Sequence, residues 1–284
     1  FPLYKSFAYV FFITVAFMGF YMPTFPEDAI TLEYAQKENY QFAPIRLFGT
    51  LGFAMMLLLF SPFLGSRVSQ IFTYFSILFV ITITLFFTLP KMESGRKEGQ
   101  TGSIRSLLMD RELLFIFAYN FIIHMTIGYY ASFITVFMRE LNIPNSQIGF
   151  SMCIMAFSEA PVLILIERAI KRYGSRKILL FGGLMMGLRL FLFSQATGIS
   201  MFYAAQLLQG VTYISVYYCS TKIVNERAPE NLKSTAQAIL SMVSTGFSRI
   251  FASIGGGYLS SSIGLRNGFY LMFWVVTLMT AVFI

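Results

Sequence analysis

The chain has 284 residues, of which 56% are hydrophobic and 12% charged, with a formal net charge of +8 and a mean hydropathy of +0.68. Soluble domains carry about 25% charged residues, so this balance excludes a water-soluble globule, and no stretch is collagen-like or polar enough to be disordered. Cys153 and Cys219 lie in apolar segments, so neither a disulfide framework nor a metal site is suggested.

Runs of about 20 mostly apolar residues, the length that crosses a bilayer core, occur nine times. In chain order they cover 7–24, 47–65, 68–89, 113–137, 147–166, 178–196, 200–221, 235–259 and 267–284. The fold class is therefore an all-α membrane protein of about nine transmembrane helices. Polar stretches at 25–46 and 90–111 are the longest connections. Assigning alternate loops to opposite sides puts fifteen cations on one side: Lys37, Arg46, Lys91, Arg96, Lys97, Arg105, Arg111, Arg168, Lys171, Arg172, Arg176, Lys177, Lys222, Arg227 and Lys233. Lys5, Arg67, Arg139 and Arg266 fall on the other. The rich side is cytoplasmic by the positive-inside rule. The positive charge thus expresses topology, without nucleic acid as a partner, and leaves a weak attraction to anionic membrane lipid.

Nine spans put the termini on opposite sides, with the C-terminus in the cytoplasm. The chain opens on Phe1 within an apolar run that lacks the basic region and cleavage site of a signal peptide. If 90–111 is a central cytoplasmic linker between six-span halves, then 1–89 holds three spans of an N-terminal lobe and 112–284 a C-terminal six-span lobe. On that expectation three spans, roughly 100 residues with their loops, precede Phe1, making twelve in a two-lobed transporter.

Four segments carry a resemblance. Arg46 to Phe53 (RLFGTLGF) looks like an R-x-W/F-G-S/T-x-G-W/F signature, Glu167 to Lys177 (ERAIKRYGSRK) like a basic cytoplasmic turn, Gly187 to Arg189 (GLR) like a ninth-span arginine, and Gln206 to Gly210 (QLLQG) like Q-x-L-H-G. Together they resemble the major facilitator superfamily, in its branch of lactose permease-like, phenylpropionate permease-like and nucleoside symporter proteins, over family spans four to twelve. The resemblance implies a secondary transporter working by alternating access, with a small-molecule solute and protons as partners, acting as a monomer without cofactor. It gives Arg168, Arg172, Gly174, Arg176 and Lys177 a structural or gating role in the cytoplasmic turn. Glycines such as Gly183, Gly187 and the run Gly255, Gly256 and Gly257 are expected to let helices approach closely or to act as hinges, and Pro161 could bend its span.

Charges inside the spans mark candidate sites, because an ion at the bilayer centre costs about 2.5–3.5 kcal/mol on the insertion scale. Glu159 and Arg189 fall at levels about 6 Å apart on adjacent spans, so an ion pair or shared water network is expected, serving either proton coupling or structure. His124, the sole histidine, follows Asn120 by one turn and is either a proton carrier or solute hydrogen-bonder, or a histidine satisfied by a neighbouring helix. Arg249 has no partner assignable from the sequence. Asp28 and Arg46 stand at a membrane edge, where they could simply snorkel. Their spacing of eighteen resembles the carboxylate and arginine that bind sugar in lactose permease-like proteins, with Phe53 at the stacking position. Asn120, Gln206 and Gln209 complete the expected solute contacts. The pattern departs from lactose permease-like members at Gln206, Gln209 and Thr212, none of which exchanges a proton. Coupling would then rest on Glu159 or His124, lie in the missing spans, or be absent.

The expected function is uptake of a small polar solute, sugar or oligosaccharide first, with a nucleoside or aromatic acid as the alternative. An inactive truncated remnant is the third reading. No Walker loop, H-E-x-x-H or G-x-S-x-G motif points to an enzyme.

Overall fold

The computed structural model describes residues 104–283, the helix 70–86 and positions 48, 49, 52, 55 and 56. Contacts divide the chain into two units, one of residues 1–49 and 62–96, the other of 50–61 and 97–284. All described regular structure is helical. Asp28, Arg46 and Phe53 lie outside the described residues.

In the first unit, α1 runs from Gln70 to Phe86. Ile77, Val80 and Leu85 project outward, and the Thr82 and Thr84 hydroxyls donate to the carbonyls of Leu78 and Val80 at 2.9 Å. Returning a hydroxyl to its own helix hides polarity that lipid cannot hydrogen-bond.

The second unit begins with α2 (Ile104–Met109), whose Leu107 is buried. The end of the expected linker is therefore a helix packed on the lobe. Asp110 caps α3 (Arg111–Glu140) by accepting from the amides of Glu112 and Leu113 at 2.9 and 3.2 Å, satisfying two N–H groups that a first turn leaves open. A turn through Asn142 leads into α4 (Asn145–Tyr173), which carries Pro161 in its interior. Then come α5 (Ser175–Gln195), α6 (Ile199–Leu207), a π-helical segment Gly210–Ile214 and α7 (Ser215–Arg227). A 3₁₀ turn, Glu230–Leu232, opens a rod of α8 (Lys233–Ser241), a second π segment, Met242–Phe247, and α9 (Ser248–Ile263); α10 (Leu265–Phe283) is last.

Five of these stretches are long and apolar enough to cross a membrane: α3, α4, α5, the rod Glu230–Ile263 and α10. The sixth expected span, 200–221, corresponds to α6 through α7, a path broken at Leu208 and widened in its π segment. All six helical stretches begin before the apolar windows read from sequence, and four also end beyond them. The helix α4 runs seven residues past the expected boundary at 166, carrying Arg168, Lys171 and Arg172. Helical hydrogen bonding continues into the headgroup zone, where long cationic side chains reach water.

Two one-residue hairpins define the topology. Gly174 joins α4 to α5 with φ 84° and ψ 149°, and Gly264 joins α9 to α10 with φ 81° and ψ 160°. That backbone region is essentially open only to glycine. The two hairpins lie at opposite ends of the bundle, so α3–α4–α5 and α6/α7–α8/α9–α10 have the same connectivity with inverted direction, as in transporter repeats.

Helix contact depends on missing side chains, as expected from Gly183 and Gly187. A Cβ on Gly183 would run into the Tyr119 hydroxyl of α3 and stand 2.7 Å from Thr280 Oγ1 of α10, and one on Gly187 would stand 2.8 Å from Thr277 Oγ1. In the run at 255–257 only Gly256 is inserted, against Tyr129 and Phe133 of α3, whereas Gly255 and Gly257 face open space. A helix offers one face to a neighbour, so one glycine in three is used. The outer surface carries large apolar side chains, among them Ile164, Ile254, Leu278 and Val282, each at least 60% exposed, which suits a lipid environment.

Candidate functional site

A buried cation organises one end of the lobe. Arg189, six residues or about 9 Å from the end of α5, is 1% exposed. Its Nη2 donates to Gln206 Oε1 at 2.7 Å and its Nε to the Ala205 carbonyl at 3.2 Å, both on α6. The guanidinium also stands 4.3 Å from the Tyr130 ring centroid and 5.3 Å from that of Phe193. Gln206 is fully buried. Its Oε1 accepts from the Tyr130 hydroxyl at 2.9 Å, and its Nε2 donates to Ser151 Oγ at 3.2 Å. Four helices, α3 to α6, thus meet on one amide. A cation in apolar surroundings is tolerable when its donors and field are matched in this way.

Three residues further on, between α6 and the π segment, Gln209 donates through Nε2 to Glu159 Oε1 at 3.3 Å. Of the expected Glu159–Arg189 partners, the carboxylate is hydrogen-bonded by Gln209 and the cation by Gln206. The backbones of α4 and the Gly210–Ile214 segment touch beside it. Gly210 N–H donates to Ser158 Oγ at 3.0 Å, and a Cβ on Gly210 would collide with the Ser158 carbonyl. Glycine is required there by close approach. Gln206, Gln209, Tyr213 and Tyr217 follow one helical stripe at spacings of three and four. The rings of half-buried Tyr213 and Tyr217 lie parallel with centroids 6.0 Å apart.

A second polar group lies on α3. Asn120 is 1% exposed, and its amide nitrogen donates to Ser220 Oγ of α7 at 2.8 Å and to the Ile116 carbonyl at 2.9 Å. His124 Nδ1 stands 3.0 Å from the Asn120 carbonyl. Cys153 and Cys219 are buried and form no disulfide, and no cluster of three potential metal ligands occurs among the described residues.

The cationic turn around Gly174 is tied to the start of α3. Arg176 pairs with Glu112 at 3.9 Å, while Arg227 of α7 reaches Asp110 at 3.1 Å and Glu112 at 3.2 Å. Burial is the largest single influence on the Asp110 carboxyl and pushes it up. The Leu113 amide, Arg227 and the Glu112 amide outweigh it and hold Asp110 below the usual carboxylate value. Arg172 lies 5.2 Å from the Tyr173 ring and Arg176 5.6 Å from that of Phe283. Arg168 and Lys177 are exposed.

The structure pairs Arg189 with Gln206 and Glu159 with Gln209 along one helical path, and puts Asn120 and His124 in another group. Sequence reasoning missed Tyr130 and Ser151, which no single-helix pattern announces, and Tyr213 and Tyr217, which the stripe spacing could have exposed.

The model of the MFS_1 like family matches residues 1–271. The maltose permease of Geobacillus stearothermophilus is 27% identical over 254 residues, covering 88% of this chain and 64% of the permease. An uncharacterized transporter of Bacillus subtilis, YwbF, is 23% identical over 276 residues, 96% of this chain and 69% of that protein. The putative nucleoside transporter YegT of Escherichia coli is 26% identical over 158 residues, 54% of this chain and 37% of that one. A crystal structure of a mutant of the nucleoside transporter NupG superimposes with a TM-score of 0.76 at 18% identity, covering 93% of this chain and 73% of NupG. That likeness shows the fold. The chain spans a little under two thirds of the maltose permease, and these relatives are transporters and permeases, not enzymes.

Proposed function

The chain belongs to the MFS_1 like family of the major facilitator superfamily, and from that membership we propose a secondary transporter that carries a small polar solute by alternating access with proton coupling. The observation that carries this reading is a fully buried Arg189 hydrogen-bonded to Gln206, with the half-buried carboxylate of Glu159 hydrogen-bonded to Gln209 three residues further along the same path. Ionisable groups at membrane depth are costly and mark solute or ion pathways.

Glu159 is the proton-accepting group on this reading, since Gln206 and Gln209 cannot titrate. Protonating Glu159 removes the negative charge acting on Arg189, which changes the balance of the network joining α4, α5 and α6. His124 is a second proton carrier. Gln209, Tyr213 and Tyr217 face the solute, offering an amide and two aromatic faces to a ring bearing hydroxyls. Asn120 and Gln206, buried with their donors engaged, hold that wall in place. Asp28, Arg46 and Phe53 complete the sugar-type site on the strength of the family resemblance. The cationic turn, through Arg168, Arg172, Gly174, Arg176 and Lys177, gates the cytoplasmic side, where the C-terminus also lies.

Sugar or oligosaccharide is the leading solute class, favoured by the match to a maltose permease along most of the chain; a nucleoside or aromatic acid is the alternative. Radiolabelled uptake into proteoliposomes with an imposed proton gradient tests the scheme. Glu159→Gln is expected to abolish accumulation while sparing exchange of preloaded solute, and unchanged accumulation would refute the coupling role.

A further inference from the structure

Arg249 has no role in the scheme above, yet it stands near the middle of the 34-residue rod Glu230–Ile263. A guanidinium facing lipid at that depth is strongly disfavoured. Arg249 is nevertheless exposed, and among the described residues no salt bridge or hydrogen bond engages its side chain. The stem is fixed against α3: a Cβ on Gly128 would stand 3.5 Å from Arg249 Cα and 3.8 Å from its Cγ. One turn earlier on that face of α3 is His124. His124 Nδ1 faces the Asn120 carbonyl, which can only accept, so whenever the ring is neutral Nδ1 carries its proton and Nε2 is left as an acceptor.

The depth of this pair is set by contacts already described. Tyr130 and Gln206 touch, so they share a level. His124 lies six residues, about 9 Å, along α3 from Tyr130, and Tyr213 lies seven residues, about 10 Å, along the α6–α7 path from Gln206. Arg249 and His124 are therefore level with the Tyr213–Tyr217 pair, on helices that Asn120 and Ser220 tie together. Lipid phosphates lie at the faces of a hydrocarbon core about 30 Å thick, roughly 15 Å from this level.

We propose that Arg249, with His124 beside it, is the anion-binding subsite for the transported solute, which carries a carboxylate or phosphate group. Arg249 takes two oxygens of that group through its forked N–H donors, and His124 Nε2 accepts from a neighbouring hydroxyl. The solute's ring lies at the level of Tyr213 and Tyr217. This deepens the transporter reading and rests on it, narrowing the sugars, nucleosides and aromatic acids to their acidic members.

The test uses matched neutral and anionic probes on the purified protein in zwitterionic nanodiscs, with binding measured by calorimetry: glucose and glucuronate, uridine and uridine 5′-monophosphate, phenylpropanol and phenylpropionate. At least one anionic probe should bind about tenfold or more tighter than its neutral partner, a difference of about 1.4 kcal/mol. R249Q should remove that preference, and R249K should retain part of it. Equal affinity within every pair, or a preference that survives in R249Q, overturns the subsite while leaving the transporter reading intact. Absence of binding by all six probes overturns both. Phenylglyoxal labelling of the unmutated protein, mapped by mass spectrometry, gives a readout that needs no variant. The preferred anionic probe should protect Arg249 and its neutral partner should not; equal labelling with either overturns the proposal.

Discussion

Replacing Gln206 by Leu tests whether one buried amide holds the Arg189 network together. The side-chain volume is nearly kept, but Arg189 Nη2 loses its acceptor at 2.7 Å, the Tyr130 hydroxyl loses its acceptor at 2.9 Å and Ser151 loses its donor at 3.2 Å. Hydrogen bonds between membrane helices average about 0.6 kcal/mol, so three set a floor near 2 kcal/mol. Stranding a buried cation can cost about 3–5 kcal/mol. At about 2–4 °C per kcal/mol for a lobe of this size, Gln206→Leu should lower Tm by roughly 5–15 °C. Thermal unfolding in detergent, followed through Trp274, the single tryptophan, measures it. Removing the cation as well, in Arg189→Leu with Gln206→Leu, should cost less than the sum of the single changes, because no charge is left stranded. A Gln206→Leu protein with the Tm of the wild type, or strict additivity in the double variant, would refute the reasoning.

Three further outcomes are expected from the same unfolding assay. Gly256→Ala should destabilise by about 1–3 kcal/mol through collision with Tyr129 and Phe133, while Gly257→Ala, facing open space, should be neutral or stabilising by up to about 1 kcal/mol; equal effects would show that α9 packs on another face. Gly174→Ala should cost about 1–3 kcal/mol from its backbone at φ 84°, although nothing lies within 4 Å of the added methyl. Asp110→Ala should lower stability by about 1 kcal/mol at neutral pH by uncapping α3. Because the folded Asp110 value is held below 3.8, its ionised contribution is present above that pH and is lost as pH falls through the folded value. The difference between wild type and D110A should therefore shrink in strong acid, and a constant difference would assign the effect to something other than the charge.

Much of the second unit was legible because lipid leaves few choices. Six apolar windows had to be helices, since the bilayer core supplies no partner for an open backbone. The turn at Gly174 was also legible, a glycine between cations at a span boundary. Arg189 was recognisable as misplaced in lipid, but its acceptor on α6 was not: the contact joins residues 17 apart on different helices, and only the rotation of α5 against α6 brings them together. The same reason separates Gly256 from Gly255 and Gly257. All three are identical in composition and differ only in which way the helix turns them.

The sequence by itself determined the membrane class, the order of the spans in this lobe, the family and the list of charges that lipid would not tolerate. Those follow from hydropathy and charge, which are properties of single residues and short runs. Only the tertiary structure decided that Arg189 is held by an amide and a ring face, that Glu159 is hydrogen-bonded by Gln209, and that Arg249 lies exposed with its stem against Gly128 of α3. Those are matters of helix rotation and depth, fixed by where glycines let neighbouring backbones meet.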